Sequence, residues 1–69
     1  MAPQLAVLRE AVQRLRAEAD SLFLSYVADM LEREADNLES VPYMVDDDWI
    51  ERNYRDPLGA ARAYLDGEA

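Results

Sequence analysis

Residues 3–39 read PQLAVLREAVQRLRAEADSLFLSYVADMLEREADNLE, and what this stretch packs against decides the fold. Leu5, Leu8, Val12, Leu15, Ala19, Leu22 and Tyr26 recur at alternating steps of three and four, the spacing of a helical heptad stripe. Pro3 suits the first turn, where its missing N–H would be unpaired anyway. Phe23, Val27, Met30, Leu31 and Leu38 keep a helical period, but the stripe has rotated around the axis. At about 100° per residue, the apolar positions between Leu22 and Leu31 cover an arc of roughly 200°. A helix exposed on one side needs about half that, so residues 22–31 are expected to lie between two neighbours.

Asp20 and Ser21 stand where the stripe turns, and both residue types are good N-caps. No Gly or Pro marks a break there, and the heptad runs through Ala19 and Leu22 without a skip. The pattern therefore predicts one helix over 3–39, with a break near 20–21 as its alternative. Pro42 pushes Val41 out of the α region and ends the helix. The apolar run Val41 to Val45 has no second strand to pair with, which predicts an extended connector over 40–47 lying across the helix. Asp48 and Glu51 have capping-box spacing, predicting a short helix over 48–55. Asp56-Pro57 repeats a start signal for a helix over 56–66, with Leu58, Ala61 and Leu65 on one face and Gly67 as its terminator. The expected fold is all-α, a single small domain over 1–69.

Sixty-nine residues with no cysteine and no histidine have neither a disulfide nor a thiolate metal site to hold them. They also lack the commonest general base. Stability must come from helix packing, self-association or a partner. Apolar residues make up 51% of the chain and charged ones 32%, too apolar for a disordered tail. No apolar run approaches the ~18 residues of a membrane span. Met1-Ala2-Pro3-Gln4 lacks the basic region and apolar core of a secretory signal. No membrane contact is expected, and a cytoplasmic location is.

The length of the predicted helix raises a problem of cover. It would be roughly 54 Å long, and the thirty residues after it are enough to cover one end only. Leu5, Leu8, Val12 and Leu15 would face water at about 1.5–3 kcal/mol each, which together rivals the whole stability of a small domain. Another surface must cover them: a second copy, a different protein, or the chain folded back at Asp20-Ser21. Charge order bears on its direction. Residues 1–16 carry Arg9, Arg14 and Arg16 against Glu10; residues 17–51 carry eleven acids against Arg33; the remainder is balanced. The blocks are +2, −10 and 0, giving the net −8. An antiparallel neighbour sets basic end against acidic end, in a homodimer or in a hairpin alike. An antiparallel homodimer is expected, self-associating through Leu5, Leu8, Val12, Leu15 and Leu22.

Within the acidic block, Asp29, Glu32, Asp36 and Glu39 fall on one side of the helical wheel. Like charges three and four apart are mildly unfavourable, which suggests an acidic partner-binding face. A face that merely keeps the chain solvated is the competing reading. Asp46-Asp47-Asp48 lacks the alternating ligands and central Gly of a calcium loop; helix capping is the simpler role, and no metal or cofactor is expected. Tyr43, Met44 and Trp49 are candidate partner contacts or core anchors, since aromatics dominate both. Phosphate contacts need clustered bases, so direct nucleic-acid binding is not expected. No catalytic motif occurs, and carboxylates alone need a shaped pocket, so no enzyme is expected either. The chain thus reads as a small acidic helical module that binds a partner protein. A sharper form is an inhibitor presenting acids to a basic or nucleic-acid-binding surface. A structural subunit of a helical oligomer and an antitoxin-like regulatory partner are the alternatives.

Overall fold

In a straight helix, the line through Leu5, Leu8, Val12 and Leu15 and the line through Ala28, Leu31, Ala35 and Leu38 point about 140° apart. One flat neighbour cannot cover both, but a chain reversal between them turns each against the other. The computed structural model, which describes residues 2–18, 20–41 and 45–67, shows that reversal. The single helix expected over 3–39 is two: α1 (Pro3–Glu18) and α2 (Leu22–Glu39). They are followed by α3 (Asp47–Asn53) and α4 (Arg55–Gly67). The described residues are all-α and contain no strand. The longest dimension is 38 Å, well short of the rod that a continuous helix would make.

The break contains no Gly or Pro; Ser21 caps the helix that follows it. With φ −136° and ψ 155° its backbone is extended, and its hydroxyl accepts a hydrogen bond from the Leu24 N–H at 3.2 Å. This cap satisfies one of the otherwise orphaned amides of α2. At the other end, Ser40 donates its N–H back to Asp36 and Asn37, and its hydroxyl donates to the Asn37 carbonyl at 2.8 Å. The expected connector over 40–47 is not seen as an extended segment: Ser40 stays in the αR region and Val41 donates to the Leu38 carbonyl in a turn. Pro42, Tyr43 and Met44 lie outside the described residues.

The start of α3 also differs from expectation. Asp46, not Asp48, is the N-cap; its carboxylate accepts from the Trp49 N–H at 2.8 Å. Asp47 and Asp48 sit in the first turn, where the helix dipole favours acids. Glu51 is thereby left out of the capping box and free for the tertiary pairing described below. Tyr54 is the single residue between α3 and α4, and the Leu58 N–H donates to its carbonyl. Asp56-Pro57 consequently lies inside the first turn of α4 rather than ahead of it. Gly67 ends the described part of α4 without a positive φ, so the left-handed cap expected there is not used.

The core is built around α1, which packs chiefly on α2 and next on α4. Leu8, Leu15, Leu31 and Leu58 are its largest fully enclosed side chains. Between them Ala11, Ala28, Ala35 and Ala61 are fully buried, small residues that let the helix axes approach closely. Leu5, Leu8, Val12 and Leu15 are all buried by the chain itself. The reason for expecting a second copy on that line, that nothing else could cover it, is removed. Leu22, the fifth member, is on the outside.

Candidate protein-interaction face

Arg9 and Arg16 are seven residues apart, as are Asp29 and Asp36, and Glu32 and Glu39. Seven residues is two helical turns, so when α2 runs antiparallel to α1 each arginine meets one Asp and one Glu. Arg9 pairs with Asp36 at 2.9 Å and with Glu39. Arg16 pairs with Asp29 at 2.9 Å and Glu32 at 2.6 Å. The hydrogen bonds that Arg9 donates to Asp36 and Arg16 to Asp29 raise the pKa of each arginine. All four acids singled out as a partner-binding face are therefore engaged within the molecule. Their side of the hairpin carries two net negative charges, four acids less two arginines. Asp20, beside the turn, is exposed and is not paired with Arg16.

A second polar cluster ties the helices together at the opposite edge. Glu51 of α3 accepts two hydrogen bonds from Arg62 of α4, at 2.9 and 2.8 Å, and a third from the Gln4 amide of α1 at 3.0 Å. The bidentate Arg62 and then Gln4 hold the Glu51 carboxyl down at about 2, since both favour its charged form. Gln4 is buried, and its Oε1 has no hydrogen-bond partner. The Tyr64 hydroxyl donates to Glu18 at 2.6 Å, joining α4 to the end of α1. Burial, and then the nearby Glu34 charge, raises the pKa of Tyr54.

Of the aromatic candidates, Trp49 is half-buried and packs on the core, its ring centroid 6.2 Å from that of Tyr54. It anchors α3. Tyr43 and Met44 fall outside the described residues. The surface that stands open is elsewhere, on the outer side of α2. Leu22, Phe23, Tyr26 and Met30 are 72, 73, 64 and 47% exposed. They fall within an arc of about 100° on the helix, turned away from the buried line Ala28, Leu31, Ala35 and Leu38. Together they present on the order of 500 Å² of mainly apolar side chain, from the areas typical of such residues. That is the size of patch that is often functional on a monomer. Sequence reasoning placed only Leu22 among the contacts and missed Phe23, Tyr26 and Met30. The signal was the 200° apolar arc: α1 and, more lightly, α4 pack on α2, and they leave this side of it open. Glu34 lies at the edge of this face, lining with Met30, Arg52, Arg55 and Asp56 a groove of about 640 Å³.

No protein-family model matches this chain, and neither a curated protein nor a solved structure does. Among the described residues no helix is long and apolar enough to cross a membrane. No group of three or more His, Cys, Asp or Glu among them is arranged to hold a metal ion. What the geometry offers chemically is contact: a row of apolar side chains on a rigid helix, in an acidic surround.

Proposed function

We propose that the protein is a non-catalytic interaction module, working in the cytoplasm, that associates with another protein surface through the outer side of α2. The observation that carries this is the exposed row Leu22, Phe23, Tyr26 and Met30. Natural chains of this size leave single apolar residues outside, but seldom four large ones in one line. The row sits on a capped helix backed by the core, so little ordering is needed before contact. The net charge of −8 speeds encounter with basic surfaces and disfavours nucleic acid.

In its sharper form, an inhibitor of a basic or nucleic-acid-binding protein, the reading changes in one respect. Asp29, Glu32, Asp36 and Glu39 are shared with Arg9 and Arg16, so their role shifts from contact to field, and Asp47 and Asp48 join them. That form predicts a complex that competes with DNA or RNA and dissolves in about 0.5 M salt, where the screening length is short. The general reading is tested by Tyr26→Glu. It leaves the core and the helical circular dichroism intact, and partner capture by the immobilised protein should be lost. Capture undiminished by a charge at that position would overturn the assignment of this face.

A further inference from the structure

We draw no further inference here: the strongest candidate, the exposed apolar face of Leu22, Phe23, Tyr26 and Met30 on the outer side of α2, belongs to the reading already proposed, and nothing in the structure shows what covers it.

Discussion

Leu8 and Leu22 are equivalent positions of one heptad stripe in the sequence, and the tertiary structure treats them oppositely. Leu8 is fully buried between α1, α2 and α4, whereas Leu22 is 72% exposed on the outside of the hairpin. Truncating each to alanine therefore separates the folded-back hairpin from a continuous rod. Leu8→Ala removes a side chain from a fully enclosed site in the core cluster that also holds the fully buried Ala11 and Ala35. The expected loss is about 2–5 kcal/mol, the range for buried leucines including the cavity left behind. A domain of this size has only about 3–10 kcal/mol in total, so the variant should sit near the unfolding threshold. With a urea slope of about 1 kcal/mol/M the midpoint falls by roughly 2–5 M, and Tm by about 10 °C or more. Leu22→Ala should cost less than about 0.5 kcal/mol, as surface substitutions do. The assay is urea unfolding at a few micromolar, followed by circular dichroism and by Trp49 fluorescence. Trp49 reports the docking of α3, so coincident transitions test two-state behaviour as well. Equal losses at the two positions, or a larger one at Leu22, would refute the hairpin.

Three further outcomes follow from named contacts. Asp46→Ala should destabilise by about 1 kcal/mol through loss of the α3 cap, while Asp48→Ala should be near neutral; urea midpoints of the pair check which aspartate caps. Arg16→Ala leaves Asp29 and Glu32 facing each other without their shared base, and should destabilise slightly at low salt and less at high salt, as exposed pairs do; unfolding at two ionic strengths measures both. Glu51, held at about 2 by Arg62 and Gln4, has a folded pKa below its unfolded one. Its contribution is therefore present above the ordinary carboxylate range and is lost as pH falls from about 4 toward 2. Carbon-detected titration of Glu51 should show that depressed midpoint, and Arg62→Ala should bring it back up.

Much of the local structure was legible. The end of α2 at Ser40, Pro3 in the first turn of α1 and the helical character of each segment all follow from backbone sterics and period, which act over a few residues. Less legible were choices between equally good local signals. Asp46, Asp47 and Asp48 are all competent caps, and only the position at which α3 meets the core selects Asp46. Asp29, Glu32, Asp36 and Glu39 looked like a surplus of charge because their counter-ions lie on a different helix. The seven-residue spacing shared with Arg9 and Arg16 was present, but its meaning appears only once the two helices are antiparallel.

By itself the sequence determined that this chain is helical, acidic, without cysteine or histidine chemistry, and that its long apolar line must be covered by an antiparallel neighbour. It also placed the one position, Asp20-Ser21, where that line could turn back. Only the tertiary structure decided that the neighbour is the chain's own second helix. A cap at Ser21 is worth about 1 kcal/mol, too little to break a helix alone. Burying Leu5, Leu8, Val12 and Leu15 against Ala28, Leu31, Ala35 and Leu38 is worth several times more, and only the reversed chain achieves it without a partner. The same reversal strands Leu22 and Tyr26 on the outside, because the line they continue is rotated away from the face that α2 buries.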